Sequence, residues 1–246
     1  GTDGAKTFLL PSDFGADQNA PFSRAIDFWR TFGGMRHCKA ATQLYFLDAC
    51  RAITDAAADA TGAELAASQP GKRIYPRDAP VYRAAELGGM AYGRKHGMSF
   101  FSGALIDCLN GLAAEREHNG RWLITTGTLG PALARLIARV SPDAVTGVCQ
   151  GETGTPSTIH EVDRPRVLAT VSCSPPAALG DAFLRARNCV GPWRDQRPPA
   201  PMPWELELDH GVYDFGAFFQ GTAYASGWHQ RGRFVVPPYF TCELDV

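Results

Sequence analysis

The chain has 246 residues and a net charge of −1, and its 45% hydrophobic and 20% charged residues are an ordinary globular composition. Because the charges almost balance, no strong basic field is available to attract nucleic acid or an anionic membrane surface. No apolar run approaches the ~18 residues that a membrane-spanning helix requires, and no secretory signal opens the chain. We therefore expect neither nucleic acid nor a membrane as a partner.

Seven cysteines are spread along the sequence at wide and irregular intervals, without a CxxC pair. This spacing is unlike that of zinc fingers or zinc ribbons, and the cysteines are too sparse for a disulfide scaffold. The pattern favours buried free thiols in a reducing compartment, which predicts a cytoplasmic location. Cys50 is the exception, because its sequence context differs from that of the other six.

The first half of the chain alternates predicted helices and strands. Apolar residues on one face predict a helix from Pro21 to Phe32. The run Leu44–Leu47 is typical of a buried strand in a parallel sheet, and Val81–Leu87 predicts a second strand. Further helical stripes are predicted at Phe101–Leu112 and Leu129–Val140. This alternation predicts an α/β layer with a parallel sheet, in which catalytic groups gather at the carboxyl ends of the strands.

The composition and the hydrophobic pattern of the sequence change near Ser141-Pro142, where helical periodicity weakens and proline and glycine become frequent. Short apolar runs between turn residues predict strands at Arg166–Ser172, Trp204–Leu208, Phe234–Val236 and Tyr239–Val246. The last hundred or so residues are therefore expected to form a small β-rich domain, for which a sandwich is one arrangement.

Cys50 follows the predicted strand Leu44–Leu47, in the sequence Asp48-Ala49-Cys50. A thiol in this place is exposed on a rigid support, but a free thiol at neutral pH is mostly protonated. It needs a nearby histidine to act as a nucleophile. Taken alone, a single cysteine is more often a small core residue, so the residues by themselves leave both interpretations open.

Residues 43–51, Gln-Leu-Tyr-Phe-Leu-Asp-Ala-Cys-Arg, resemble the nucleophile strand of the caspase-like cysteine peptidases, in the bacterial and metacaspase branch. Residues 8–14 resemble the stretch that follows the histidine strand of that family, and residues 97–101 resemble its G-x-S-x-F segment. The resemblance covers roughly residues 1–140. It implies a caspase-like, mainly parallel sheet flanked by helices and incomplete at the N-terminus, in residues 1–148. Residues 149–246 would then be the β-rich accessory domain.

The sequence departs from the family at the general base. The animal caspase signature is Q-A-C-[RQG]-G, with the histidine about 50 residues earlier. Here Asp48 replaces the glutamine and Ala52 the final glycine, and no Ser-Gly-His-Gly motif precedes residues 8–14. The resemblance implies that the histidine lies upstream of Gly1 or on a partner chain, and that this chain alone is inert. We expect none of its six histidines, His37 and His96 included, to replace that base.

The residues expected to bind substrate are also implied by the resemblance. An acid two residues before the cysteine, as Asp48 is here, receives a Lys or Arg side chain at P1 in metacaspases. The alternative for Asp48 is a polar residue that caps the turn after the strand. Arg94 and His96 fall in the family's specificity loop, and Ser99 opens the helix after it. In animal caspases this loop holds an arginine for acidic substrates, so Arg94 or Lys95 is the competing specificity determinant. The alternative for both residues is a simply solvated charge.

The sequence therefore predicts a cysteine-type endopeptidase that acts on proteins or peptides, with Cys50 as nucleophile and a preference for basic P1 residues. Such chemistry needs no metal and no organic cofactor. The alternative is a pseudo-peptidase or scaffold, in which the histidine has been lost and the β-rich domain binds a protein partner. A third possibility is one subunit of a split enzyme.

Overall fold

The structure is a computed structural model, and it describes residues 6–50, 60–86, 88–93, 95, 97–141, 150–152, 154–221 and 223–246. Residue contacts divide the chain into two compact units. Unit 1 comprises Gly1–Ala91 and Ala144–Pro156, and unit 2 comprises Tyr92–Asp143 and Ser157–Val246. The domain boundary predicted at residue 148 lies outside the described residues and stays a prediction.

The secondary structure of the described residues is mostly β. The strands in chain order are β1 (Phe8–Leu9), β2 (Ile26–Asp27), β3 (Tyr45–Leu47), β4 (Ala79–Arg83), β5 (Glu115–Arg116), β6 (Trp122–Thr125), β7 (Gln150–Glu152), β8 (Thr158–Val162), β9 (Arg166–Ser174), β10 (Phe183–Asn188), β11 (Arg194–Arg197), β12 (Trp204–Asp209), β13 (Gly211–Phe218), β14 (Gly227–Val235) and β15 (Tyr239–Asp245). The α-helices are α1 (Phe28–Gly34), α2 (Phe100–Asp107) and α3 (Thr126–Val140). A π-helical turn covers Cys108–Leu112, and 3-10 turns cover Met35–His37 and Pro176–Gly180.

Unit 1 is built around a small aromatic core. Phe28 and Phe32 of α1 pack on Ala79 and Val81 of β4, and all four residues are buried. β3 pairs in parallel with β4, which pairs antiparallel with β7, and β1 pairs antiparallel with β2. Each of these sheets is small, so the aromatic contacts of α1 contribute a large part of the buried apolar surface.

The helix predicted from Pro21 to Phe32 begins later than the apolar pattern indicates. Asp27 is its N-cap, because the Asp27 carboxylate accepts a hydrogen bond from the amide of Arg30 at 3.0 Å. Ile26 instead pairs with Leu9 as part of β2. An apolar stripe does not reveal such a local cap, which determines where the helix starts.

Unit 2 contains a β-sandwich. One sheet has the strand order β12-β9-β15, and the other has the order β11-β10-β13-β14. Residues alternate between buried and more exposed along β9 and β10, as they do in strands with one face on a core. The inward residues of both sheets form a single buried cluster, which includes Val171, Leu184, Phe215 and Leu244.

The helices of unit 2 precede the sandwich in the chain. α3 begins with a capping box, in which the side chains of Thr125 and Thr128 each bond to the other's backbone amide. Leu129, Leu133 and Ile137 form its buried stripe. β6, which leads into α3, pairs antiparallel with both β5 and β8. Among the described residues no helix is long and apolar enough to cross a membrane.

The expectation of a caspase-like, mainly parallel sheet flanked by helices is wrong. Of the ten strand pairings among the described residues, only β3 with β4 and β9 with β15 are parallel. The alternation of strands and helices in the sequence is real, but β6 and β4 take antiparallel partners from after residue 149. A periodicity argument counts elements along the chain, whereas long-range contacts decide which strands pair. The sheet expected from the alternation is therefore replaced by small mixed and antiparallel sheets.

Candidate functional site

Cys50 lies three residues after the end of β3, and its side chain is exposed. The amide of Ala91 donates a hydrogen bond of 3.3 Å to the Cys50 Sγ, and the carbonyl oxygen of Ala91 lies 4.0 Å from the same sulfur. Both residues belong to unit 1. A single backbone position thus orients an exposed thiol near the carboxyl end of a short strand.

A buried amide supports the strand that leads to Cys50. The Gln43 Nε2 donates to the carbonyl oxygens of Met35 and Ala40, each at 3.2 Å. Its Oε1 accepts from the Arg77 Nη1 at 2.6 Å and from the Tyr45 hydroxyl at 2.9 Å. Because Gln43 is buried, loss of these bonds would leave polar groups unsatisfied in the interior. Gln43 therefore fixes the start of β3.

β3 is held against β4 along its length. Tyr45 pairs with Val81, and the rings of Phe46 and Tyr82 stack with centroids 5.3 Å apart. The predicted parallel pairing of this strand is confirmed. The sequence predicts that the strand is buried within a parallel sheet, and this position is wrong. In the sheet that the described residues form, with the order β3-β4-β7, β3 is an edge strand.

The other predicted substrate-binding residues lie in different parts of the structure. Asp48 is exposed directly after β3, on the same segment as Cys50. Ser99, in unit 2, is the N-cap of α2, where its Oγ accepts from the amide of Ser102 at 2.9 Å. Arg94 and His96 lie outside the described residues, and so do residues 51–59 after Cys50. The roles predicted for Arg94 and His96 therefore stay predictions.

His37 is the single histidine in the sequence of unit 1, and both of its ring nitrogens are engaged. Its Nε2 accepts from the amide of Gln69 at 3.1 Å, and its Nδ1 lies 3.1 Å from the carbonyl oxygen of Arg73. An accepting Nε2 leaves the proton on Nδ1, which donates to Arg73. His37 thus joins the 3-10 turn Met35–His37 to residues 69–73, and neither nitrogen is available to the Cys50 thiol.

The buried cysteines are poor nucleophiles. Burial raises the pKa of Cys108 to about 12, with a smaller contribution from the negative charge of Asp107. Burial likewise raises the pKa of Cys242 to about 11. Thiols with such pKa values remain protonated at neutral pH. Cys189 is also exposed and directly follows β10, but its Sγ donates to Asp214 at 3.3 Å, and burial together with that carboxylate raises the pKa of the Cys189 thiol. Cys50 therefore remains the candidate nucleophile among the described cysteines.

The segment after β3 carries an exposed thiol at Cys50 and a carboxylate two residues before it at Asp48, and the histidine of unit 1 is engaged elsewhere. Over the described ranges, no three His, Cys, Asp or Glu side chains are grouped so that they could hold a metal ion. The group of residues supports thiol chemistry once a general base is supplied.

Sequence reasoning missed a charged cluster in unit 2. The Arg187 Nε and Nη2 donate to one oxygen of Asp214 at 2.9 and 2.7 Å. The other oxygen accepts from the Gly232 amide at 2.9 Å and from the Cys189 Sγ at 3.3 Å. The alternation Leu184-Arg185-Ala186-Arg187 was the signal that could have indicated a polar sheet face here.

No protein-family model matches the chain, and no solved structure matches it. Over 226 residues it is 22% identical to a protein of Sinorhizobium fredii (strain NBRC 101917 / NGR234) named "Uncharacterized protein y4kE". The match covers 87% of this chain and 64% of the relative, so the chain spans less than two thirds of that protein's length.

Proposed function

We propose that the protein is a cysteine-type endopeptidase with Cys50 as its nucleophile and with a preference for Arg or Lys at P1. The observation that carries the proposal is the exposed Cys50 thiol, oriented by the amide of Ala91, with the exposed Asp48 two residues before it. The activity depends on these residues and not on a caspase-like sheet, which the described strands do not form. The six described cysteines are free thiols, which is compatible with the cytoplasm as the proposed location.

In the proposed reaction the Cys50 sulfur attacks the carbonyl carbon of the scissile peptide bond. A histidine takes the thiol proton and passes it to the leaving amine, whose C–N bond breaks as the thioester forms. Water then hydrolyses the thioester and regenerates the thiol. The backbone N–H of Cys50 would donate to the oxyanion of the tetrahedral intermediate. As the resemblance implies, we place the histidine upstream of Gly1 or on a partner chain; within unit 1, both ring nitrogens of His37 are engaged.

Asp48 is proposed to select the P1 residue. A carboxylate can accept two parallel hydrogen bonds from an arginine, which adds geometric specificity to the charge attraction. An acidic P1 residue would instead meet a like charge. No cofactor or metal takes part in the proposed reaction.

The test uses a version of the protein that carries the upstream sequence with its expected histidine. Fluorogenic peptides with P1 Arg should be cleaved by this version, and its Cys50→Ala variant should be inert. The 246-residue chain should show no more than residual cleavage. Full activity of the Cys50→Ala variant would contradict the assignment of the nucleophile, and robust cleavage by the 246-residue chain would contradict the placement of the base.

A non-enzymatic scaffold is the second candidate function. The engaged nitrogens of His37 favour it, because unit 1 then offers Cys50 no base of its own. In this case the β-rich part would bind a protein partner, and the extended version would cleave none of the peptides in the test above. The sequence immediately upstream of Gly1 discriminates between the two, because a Gly-His-Gly there favours the enzyme.

A further inference from the structure

The solvent face of the four-stranded sheet in unit 2 carries three arginines side by side. Buried and exposed residues alternate along β10. Leu184 and Ala186 are buried, whereas Arg185 and Arg187 are exposed. Arg194 of β11 lies directly opposite Arg187 in the register. Residues opposite each other in an antiparallel pair point to the same face. We call Arg185, Arg187 and Arg194 the arginine face.

Aromatic rings support two of the three guanidinium groups. The Arg185 guanidinium lies over the Phe218 ring at 4.3 Å from the centroid, and that of Arg187 lies over Trp228 at 4.3 Å. The two rings contact each other edge to face, with centroids 5.6 Å apart. A guanidinium that stacks on a ring keeps its N–H donors in its own plane, where they remain able to bind an anion. The stacking thus holds these donors in place before a ligand arrives.

The positive charge of the arginine face is only partly neutralised. Asp214 accepts two hydrogen bonds from Arg187, whereas no hydrogen bond among the described residues uses the guanidinium of Arg185 or Arg194. Asp195 lies opposite Ala186, on the other side of the pleat, and its carboxylate accepts from the amide of Gln196 at 2.7 Å. Arg185, Arg187 and Arg194 therefore face the Asp214 carboxylate, and Asp195 is a second acid that lines the concave surface over these side chains. Three cations against two carboxylates leave this surface positive, although the chain as a whole has a net charge of −1.

Arg187 and Arg194 are like charges directly opposite each other, and Asp214 is bonded to Arg187 alone. Like charges directly across an antiparallel pair destabilise a sheet. A concave surface of about 590 Å³ lies over these side chains, and Trp193 and Trp228 also line it. An anionic ligand in this concavity would relieve the repulsion and use the free donors of Arg185 and Arg194.

We propose that the arginine face binds an acidic peptide segment in an extended conformation. Arg185 and Arg187 are two residues apart on one strand, so their side chains leave the backbone about 7 Å apart. Side chains at alternate positions of an extended peptide have the same spacing, so two carboxylates of such a peptide match the two arginines. One carboxylate can accept a bidentate pair of hydrogen bonds from Arg185. The other can accept from the Nη1 of Arg187, because Asp214 uses the Nε and Nη2 of that side chain. A patch of three charges is too small to provide the many phosphate contacts on which nucleic-acid affinity depends.

The proposed binding surface lies wholly in unit 2 and is independent of the chemistry at Cys50. Such a surface is compatible with both candidate functions. A peptidase could use it to bind its substrate away from the site of cleavage, and a scaffold could use it to bind a partner. Binding can therefore be measured on the 246-residue chain, whether or not that chain has activity.

The experiment measures fluorescence anisotropy of a labelled peptide of four Thr-Asp repeats with the 246-residue chain at low salt. A Thr-Asn peptide of the same length is the uncharged control. The double variant Arg185→Gln/Arg194→Gln should bind the acidic peptide about tenfold or more weakly, as expected for the loss of charge-assisted hydrogen bonds. Arg164→Gln removes an exposed arginine from the turn before β9 and should bind as the wild type does.

A single variant and a stability measurement separate a loss of binding from a loss of folding. Arg194→Gln alone removes a side chain without a hydrogen-bond partner among the described residues, so it should leave the sheet folded and still weaken binding severalfold. Thermal unfolding checks each variant. The proposal is overturned if the arginine variants bind as tightly as Arg164→Gln, or if the Thr-Asn peptide binds equally well. It is also overturned if a single-stranded oligonucleotide of the same charge binds as tightly as the acidic peptide.

Discussion

The amide of Ala91 donates a hydrogen bond of 3.3 Å to the Sγ of Cys50, and this contact joins two segments of unit 1 that are 41 residues apart in the sequence. Cys50 follows β3, and Ala91 follows β4, so the contact lies beyond the carboxyl ends of two strands that pair in parallel. The thiol is thus both exposed and restrained. This combination distinguishes it from the buried thiols of the same chain.

Alkylation should separate Cys50 from the buried cysteines. We expect iodoacetamide at pH 8 to modify Cys50 in the folded protein well before Cys108 and Cys242. Burial raises the pKa values of the latter two to about 12 and about 11, and it also shields them from the reagent. Mass spectrometry of proteolytic peptides would report the order. In urea all of these thiols should react at similar rates. If Cys108 is modified as fast as Cys50 in the native protein, the expectation is contradicted.

The choice of P1 residue should depend on Asp48. In the version extended upstream, Asp48→Asn should reduce kcat/KM for P1 Arg substrates by on the order of a hundredfold, because a charge-assisted hydrogen bond at P1 is lost. A fluorogenic panel that varies only P1 measures this effect. Asp17→Asn, which removes an exposed carboxylate in a turn of unit 1, is the matched control and should change little. If P1 Asp substrates are cleaved best, Arg94 or Lys95 determines the specificity and Asp48 is a turn residue.

Two adjacent glycines of α1 should respond in opposite directions to alanine. A Cβ on Gly34 would collide with the backbone of Ala66, whereas a Cβ on Gly33 would have nothing within 4 Å. Gly34→Ala should therefore destabilise the protein by about 2–3 kcal/mol, as overpacking commonly does. Gly33→Ala should be neutral or stabilising by up to about 1 kcal/mol, because alanine favours a helix more than glycine does. Urea unfolding of both variants tests the pair, and equal effects would show that the contact of Gly34 with Ala66 is absent.

Acid should weaken unit 2 through Asp214. Burial by itself raises the pKa of this carboxyl, but the hydrogen bonds from the Gly232 amide, Arg187 and Cys189 outweigh burial, so the pKa lies below its ordinary value. A carboxyl with a lowered pKa in the folded state stabilises the protein above its unfolded pKa, about 3.9, and this contribution is lost as the pH falls through the folded pKa.

The Asp214→Asn variant tests this dependence. At pH 7 its free energy of unfolding should be about 2 kcal/mol lower than that of the wild type, because hydrogen bonds to a charged group are lost. The difference should begin to shrink as the pH falls below about 3.9, where the unfolded carboxyl takes up a proton, and the contribution of the charge is lost as the pH falls through the lower folded pKa. Denaturant unfolding at several pH values measures it. A difference that stays constant down to pH 2 would mean that the charge of Asp214 does not contribute.

Several elements could be predicted from the sequence because their signals are local. The strands predicted at Arg166–Ser172, Trp204–Leu208 and Tyr239–Val246 correspond to β9, β12 and β15, since apolar runs between turn residues fit few other structures. The buried stripe of α3 also follows from its spacing of apolar residues. The exposed position of Cys50 after a short apolar strand belongs to the same group of local features.

Strand pairing, the use of His37 and the arginine face were decided by the tertiary structure. The expected parallel sheet is absent because β4 and β6 pair with strands from after residue 149, and no local pattern encodes such partners. The ring of His37 is occupied because residues 69–73 bond to it, and Arg187 and Arg194 meet only because β10 and β11 pair in one register. The sequence by itself determined where strands and helices can form, since propensity and periodicity act over a few residues. Only the long-range packing decided which side chains meet, because contacts between distant segments depend on the free energy of the whole fold.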